Sequence, residues 1–214
     1  MTNLCTRLVV LFATLFTCRL AAVEIDISKH PTIGNLGATV QVVALLEPKC
    51  PDSKRYNNAS FPKLKAAFID TNKISYTVIT TSFLSNSMPA AIALLCVYTQ
   101  DEKKTDADLF FKYLNYLYQV QPPERQNWAT TDTLLSYAAK ASQDIDLKRL
   151  KSCIESKRRE ELIVQNTALG NKLMGELHTP TIFVNGVKIE NKDDTIDYEK
   201  LQTAIDEAIS KKNS

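Results

Sequence analysis

The stretch that decides the fold is residues 40–53, VQVVALLEPKCPDS, in which an apolar run leads into Cys50 and then into Pro51-Asp52-Ser53. The apolar run over residues 40–47 has the length and the β-branched content of a buried strand. The residues from Ser53 to Ile69 have helical spacing, and Pro51 suits a first helical turn, where its missing N–H has no intrahelical partner. The sequence therefore predicts a strand, then a cysteine at the junction, then a helix.

The four residues Cys50-Pro51-Asp52-Ser53 have the spacing of a redox Cys-x-x-Cys motif whose second cysteine is replaced by serine. A Cys-x-x-Cys at a strand-to-helix junction is typical of thioredoxin-like proteins. Disulfide exchange requires a thiolate, which helix N–H groups stabilise. Asp52 acts in the opposite sense, because its carboxylate repels a thiolate. The alternative is an inert Cys50 that packs as a small apolar side chain.

The length and composition suit one soluble globular domain, or one domain carrying an insertion: 214 residues, 44% apolar and 23% charged. Arg7 precedes an apolar run over residues 8–16, and Ala21-Ala22 offers a cleavage point. This pattern predicts an export signal peptide over residues 1–22, and the apolar run is too short to cross a bilayer. Two alternatives are an uncleaved membrane anchor and a lipoprotein modified at Cys18.

Export would change both the charge and the cysteine count. Removal of residues 1–22 takes away two arginines and no acidic residue, so the formal net charge falls from +2 to zero. A near-neutral chain has no bulk electrostatic reason to bind nucleic acid or anionic lipid. Of the five cysteines, Cys50, Cys96 and Cys153 would remain. Oxidising compartments favour disulfides, and an odd number of cysteines leaves one thiol over.

The rest of the chain alternates between strand and helix patterns. Pro62 should kink or split the first helix. Asn185-Gly186 between two apolar runs predicts a β-hairpin. The predicted strands cover residues 39–47, 73–79, 181–184 and 187–189, after an extended lead-in over 23–38. Helices are predicted from 89 to 163, with caps at Thr131 or Asp132 and at Asp146. A long helix over 155–173 and a last helix over 197–210 are also predicted. This order predicts an α/β protein with an all-helical insertion.

Three stretches resemble the DsbA-like thiol–disulfide oxidoreductases, a branch of the thioredoxin fold with a helical insertion. They are Ile33-Gly34-Asn35, Phe61-Pro62-Lys63-Leu64 and residues 179–186, TPTIFVNG. The resemblance covers nearly the whole chain after the predicted signal peptide. It implies an α/β thioredoxin fold with an inserted all-helical domain. The division is a signal peptide over 1–22, a first part of the fold over 23–84, the insertion over 85–160 and a second part over 161–214.

The resemblance also implies roles for individual residues. Thr179-Pro180 is similar to the family's cis-proline loop, whose backbone lies beside the reactive cysteine and pairs with substrate as an added strand does. The alternative is a trans proline in a turn. His178 stands where the family usually has glycine. The implied site is Cys50 and Ser53 as catalytic residues, Thr179 and Pro180 as substrate-binding residues, and Pro51, Asp52 and His178 as residues that tune the thiol.

Cys96 and Cys153 lie in the helical block, at positions similar to those of a structural disulfide in some family members. They are 57 positions apart in the sequence. The alternative is two unpaired core thiols. If the two are paired, Cys50 is the thiol left over. No spacing of cysteines and histidines suggests a metal site, so we expect neither a metal nor a cofactor.

The missing second thiol points to the function. Cys50 can form a mixed disulfide but has no internal thiol to resolve it, so release needs glutathione, a client thiol or a membrane redox partner. This favours isomerisation or monothiol reduction of exported, cysteine-containing clients over dithiol oxidation. The predicted location is the bacterial periplasm, with a lipid-anchored or membrane-tethered form facing it as the alternative. Two other hypotheses are a redox-silent thioredoxin-fold chaperone or binding protein and a kappa-type glutathione transferase; export and the cysteine at the first motif position argue against the transferase.

Overall fold

A computed structural model describes residues 22–100, 104–190 and 195–211. The predicted signal peptide and its two alternatives fall on residues 1–22, which, apart from Ala22, lie outside the described residues. Within the described ranges, no helix combines the length and the apolar character needed to cross a bilayer.

The sheet of the described chain has five strands in the order β1-β3-β2-β4-β5. The strands are β1 Thr32–Gly34, β2 Gln41–Leu46, β3 Ser75–Thr80, β4 Thr181–Val184 and β5 Val187–Lys188. The central strand β2 runs parallel to β3 and antiparallel to β4, and β1 and β5 pair antiparallel to their neighbours. The β4–β5 hairpin turns at Asn185-Gly186, where both residues have positive φ, as a two-residue hairpin turn requires.

Most of the helices lie between β3 and β4 in the chain. They are α1 Pro51–Ala59, α2 Phe61–Leu64, α3 Met88–Tyr98, α4 Ala107–Val120, α5 Thr131–Ala141, α6 Leu147–Glu155, α7 Glu160–Met174 and α8 Tyr198–Ser210, with a π-helical turn over Lys65–Ile69 after α2. Helices α3 to α6 pack on one another as a helical insertion. The predicted α/β thioredoxin fold with an all-helical insertion is thereby confirmed.

The central strand β2 is buried on both faces, which explains its almost continuous apolar sequence. Alternate side chains point to opposite faces. Val42, Ala44 and Leu46 belong to the main core, which continues into the inserted helices. Val43 and Leu45 belong to a second cluster, against which residues of α7 pack. Packing on both faces fixes the position of the chain where β2 ends, at Leu46, four residues before Cys50.

One strand was not predicted. The sequence prediction treats residues 23–38 as an extended lead-in, whereas Thr32–Gly34 forms β1 and pairs with β3. A three-residue edge strand is too short to show an alternating pattern, and its partner lies far away in the sequence. Gly34 has φ of 86°, and the Asn35 N–H that follows donates to the Ile74 carbonyl at 3.0 Å.

The helix boundaries differ from the prediction at two places, and the split of the first helix agrees with it. The first helix is split at Ser60, two residues before Pro62, as that proline predicts. The cap of α5 is Thr130, one residue before the predicted cap. The predicted helix over 155–173 begins only at Glu160, because the chain turns after α6 and Lys157 has φ of 51°.

The insertion is tied to the sheet by apolar contacts and internally by a covalent bond. Phe61 of α2 packs on Tyr76 of β3 and Phe111 of α4, with ring centroids 5.1 and 5.8 Å apart. Cys96 of α3 and Cys153 of α6 form a disulfide with their Cα atoms 6.0 Å apart. The helices that approach the end of β2 are therefore held in fixed positions.

Candidate active site

Cys50 lies at the N-cap of α1, with extended backbone angles, and is 7% exposed. Its carbonyl accepts the Lys54 N–H at 3.1 Å, which is the first intrahelical bond of α1. Its own N–H donates to the Glu47 carbonyl at 3.1 Å and closes a turn after β2. The sulfur therefore lies beside the N-terminus of a helix, where unpaired backbone N–H groups attract an anion.

The Cys50 thiol faces the residue before a cis proline. The Thr179-Pro180 bond is cis, and the Cys50 Sγ donates to the Thr179 carbonyl oxygen at 3.2 Å. This contact follows from the sheet: Leu45 of β2 and Thr181 of β4 are paired in register, so the loop after β2 meets the loop before β4. The Thr179 hydroxyl is buried and has no hydrogen-bond partner in the described structure.

Ser53 lies in the first turn of α1, on the buried side of the helix. It is completely buried, and its Oγ accepts the Glu47 N–H at 3.3 Å. The Tyr118 hydroxyl donates to the Glu47 carbonyl at 3.1 Å. The contact between Ser53 and Glu47 ties the end of β2 to α1, and the catalytic role predicted for Ser53 stays a prediction.

Two buried residues, Glu47 and Lys49, lie between β2 and Cys50. The Glu47 side chain is fully buried, its Oε2 accepts the Lys49 N–H at 2.6 Å, and its Oε1 has no partner in the described structure. Burial raises the pKa of Glu47 to about 7; the Ser87 hydroxyl, nearby backbone N–H groups and the Lys49 charge offset this only in part. The Lys49 Nζ donates to the Ser85 carbonyl at 2.7 Å. The available signal was an acid placed directly after the apolar residues 42–46 of β2.

The insertion also contacts the turn that carries Cys50. Gln121, the residue after α4, donates from Nε2 to the Pro48 carbonyl at 2.7 Å and to the Cys50 carbonyl at 3.4 Å. The Lys54 Nζ donates to the Gln121 carbonyl at 2.9 Å. Sequence reasoning did not identify Gln121, because its role depends on a contact between residues far apart in the chain.

Cys50 opens into a groove of about 350 Å³. One wall is apolar and includes Phe83, which is 42% exposed. The full lining is Cys50, Asp52, Phe83, Met174, Glu176, Leu177, His178, Thr179, Pro180, Thr181, Lys188 and Glu190. We define these twelve residues as the groove. Asp52 also forms an ion pair with Arg55, with Nη1 and Oδ1 2.5 Å apart.

The structure therefore brings most of the predicted site residues together. Five of them line the groove: Cys50, Asp52, His178, Thr179 and Pro180. Pro51 begins α1 outside the groove lining, and Ser53 is buried below it. The cysteines of the disulfide belong to the insertion. Among the described residues, no three Cys, His, Asp or Glu side chains cluster as metal ligands.

The strand order, the thiol at the start of the helix after the central strand and the cis proline facing that thiol define a thioredoxin-fold protein. Residues 27–207 match the thioredoxin family. The Chlamydia trachomatis DsbA crystal structure superimposes with a TM-score of 0.77 at 31% identity, covering 87% of this chain and 95% of that one. The chain belongs to the DsbA-like thiol–disulfide oxidoreductases.

Two relatives are similar in sequence over most of this chain. Disulfide bond formation protein D of Bacillus subtilis is 29% identical over 188 residues, which is 87% of this chain and 80% of the relative. A Rickettsia typhi relative is 31% identical over 179 residues, which is 83% of this chain. The chain spans only 61% of that relative's length.

Proposed function

We propose that this protein catalyses thiol–disulfide exchange through one thiol, that of Cys50, and acts as an isomerase or monothiol reductase of client proteins. The observation that carries the proposal is the position of Cys50, the free cysteine of the described chain, in the groove beside Thr179. Ser53 occupies the position of a resolving cysteine but has no thiol.

The first step is attack of the Cys50 thiolate on one sulfur of a client disulfide. The client S–S bond breaks, a bond forms between Cys50 and that sulfur, and the other client sulfur leaves with the electron pair and takes a proton from water. A thiolate cannot donate a hydrogen bond, so ionisation of Cys50 frees the Thr179 carbonyl. That carbonyl then accepts a client N–H, as in strand addition.

Release of the client needs a thiol from outside the site. A second thiol of the same client can attack the client sulfur of the mixed disulfide, which rearranges the client disulfide and restores Cys50. Glutathione can instead attack the Cys50 sulfur, which releases a client thiol and leaves glutathione bound. A second glutathione then regenerates Cys50 and leaves as the oxidised dimer, so the client is reduced by two electrons.

The proposal includes export to the periplasm and cysteine-containing clients there, with glutathione or a membrane redox partner as the source of thiols. The pattern of residues 1–22 supports export. The Cys96–Cys153 disulfide supports an oxidising compartment. The division into residues 23–84, 85–160 and 161–214 is part of the same proposal.

The test compares the parent protein with Cys50→Ala in reduction of a disulfide substrate by glutathione and in refolding of a scrambled disulfide protein. We expect activity in the parent and none in Cys50→Ala. The double variant Cys96→Ala/Cys153→Ala, assayed well below its unfolding temperature, keeps Cys50 and should remain active. Equal activity of the parent and Cys50→Ala contradicts the proposal. If neither is active but both suppress aggregation of unfolded clients, the redox-silent chaperone is the better account.

A further inference from the structure

We propose that the groove selects disulfides that carry positive charge next to the sulfur and discriminates against anionic disulfides such as oxidised glutathione. This inference rests on the proposed function, since it concerns what reacts with Cys50. The preferred client segment is therefore a cysteine flanked by lysine or arginine, with an apolar neighbour for the wall around Phe83.

The charge of the groove comes from three separate segments of the chain. Asp52 lies in the first turn of α1, Glu176 follows α7, and Glu190 follows β5. All three line the same groove as Cys50, and Lys188 is the lysine among the groove residues. Lys188 forms an ion pair with Glu190, with Nζ and Oε1 3.3 Å apart. Arg55 pairs with Asp52 from outside the lining. The three carboxylates therefore outnumber these two cations, Lys188 and Arg55, by one.

A second feature points to a bound segment at this place. Thr179 is 6% exposed, and its Oγ1 has no hydrogen-bond partner in the described structure. It lines the groove next to Cys50. A buried hydroxyl without a partner is costly, and a client donor in the groove would satisfy it.

The negative groove should influence the reaction in two ways. During exchange, negative charge moves from the Cys50 sulfur toward the leaving sulfur, and a cation next to the client sulfurs stabilises that charge. The groove carboxylates attract the same cation and repel an anionic disulfide such as oxidised glutathione. Exposed ion pairs each change a rate by about twofold to fivefold, so two or three together give about tenfold discrimination.

The test measures the rate at which Cys50 forms a mixed disulfide with three small disulfides: cystamine, hydroxyethyl disulfide and oxidised glutathione. These are cationic, neutral and anionic, and the product is counted by mass spectrometry after acid quenching. Each disulfide is also allowed to react with a short uncharged peptide that has one cysteine. Dividing the Cys50 rate by the peptide rate for the same disulfide removes the intrinsic reactivity of that disulfide. We expect a normalised cystamine-to-glutathione ratio of about ten at low salt, falling toward one at 0.5 M salt.

The variants identify the groups that cause the selection. Glu176→Gln and Glu190→Gln should each lower the ratio by about twofold or more, whereas Lys188→Gln should raise it. The matched control is Glu155→Gln, which removes an exposed, ion-paired glutamate from α6 in the insertion and should leave the ratio unchanged.

The outcomes separate this inference from the proposed function. A ratio near one in the parent, or a ratio that survives both high salt and the two glutamate variants, overturns the charge selection. In either case hydroxyethyl disulfide still modifies Cys50 and the proposed function stands. If none of the three disulfides modifies Cys50, the proposed function itself fails.

Discussion

Replacing Glu47 with glutamine should stabilise the protein at alkaline pH and hardly change it at acid pH. The Glu47 carboxyl is fully buried under the site, and its Oε1 has no partner in the described structure. The amide of Glu47→Gln keeps an oxygen that can accept the Lys49 N–H. It differs from the native side chain mainly in having no proton to lose.

The magnitude follows from the pKa of Glu47, which burial raises from 4.5 to about 7. Because the folded state holds this proton more tightly than the unfolded state, the stabilisation is complete below pH 4.5. It is lost as the pH rises through 7. A difference of about 2.5 pKa units corresponds to about 3 kcal/mol. The free energy of unfolding of Glu47→Gln, relative to the parent, should therefore rise by about 3 kcal/mol between pH 4 and pH 8.

The assay is urea unfolding of both proteins at half-unit pH intervals, with the difference at each pH taken as the result. Taking the difference cancels the titration of all other groups. The control Glu155→Gln changes an exposed glutamate of α6, and its difference from the parent should stay within about 0.5 kcal/mol throughout. A flat difference for Glu47→Gln would refute the reasoning. A difference that falls with pH would show that the Lys49 charge, not burial, controls Glu47.

Three further predictions concern the fold. Burial lowers the pKa of His30 from 6.5 to about 4, so its stabilisation is full above pH 6.5 and is lost as the pH falls through 4. The free energy of unfolding of His30→Gln, relative to the parent, should therefore rise by about 3 kcal/mol as the pH falls from 7 to 4 in the same urea assay. Gly34→Ala should lower the free energy of unfolding by about 3 kcal/mol, because φ at this position is 86° and the added Cβ would lie 2.5 Å from a backbone oxygen. Gly37→Ala, whose Cβ meets nothing closer than 3.5 Å, should be nearly neutral in urea unfolding. Cys96→Ala/Cys153→Ala opens a link across 57 positions and should lower stability by about 4 kcal/mol, measured as a melting temperature about 8–16 °C lower.

The parts of the fold that could be predicted are those with a strong local signal. The apolar run of β2 and the Asn185-Gly186 hairpin each have one, and both form as expected. The strand β1 has none, since three residues at a sheet edge are specified mainly by their partner β3. The same applies to the turn after α6, where Lys157 adopts positive φ inside a pattern that looks continuously helical.

The site shows the same division between local and distant information. The motif at Cys50 and the stretch around Thr179-Pro180 could be identified because each is recognisable by itself. The Glu47 carboxyl, the Gln121 amide and the groove carboxylates acquire their roles only through contacts between distant segments. The motif predicts a catalytic role for Ser53 and gives no sign that its side chain is buried and accepts the Glu47 N–H; that role stays a prediction.

The covalent link between α3 and α6 has a consequence for how the chain matures. Cys50 precedes Cys96 and Cys153 in the chain, so if the chain is exported and oxidised from its N-terminal side, as proposed, the first two of these cysteines meet the oxidant before the third. Three pairings are possible among them, and only one leaves Cys50 as a thiol. Under the proposed function, oxidation before the insertion has folded would consume Cys50 and give an inactive isomer. Correct biogenesis therefore depends on the insertion folding before its cysteines are oxidised.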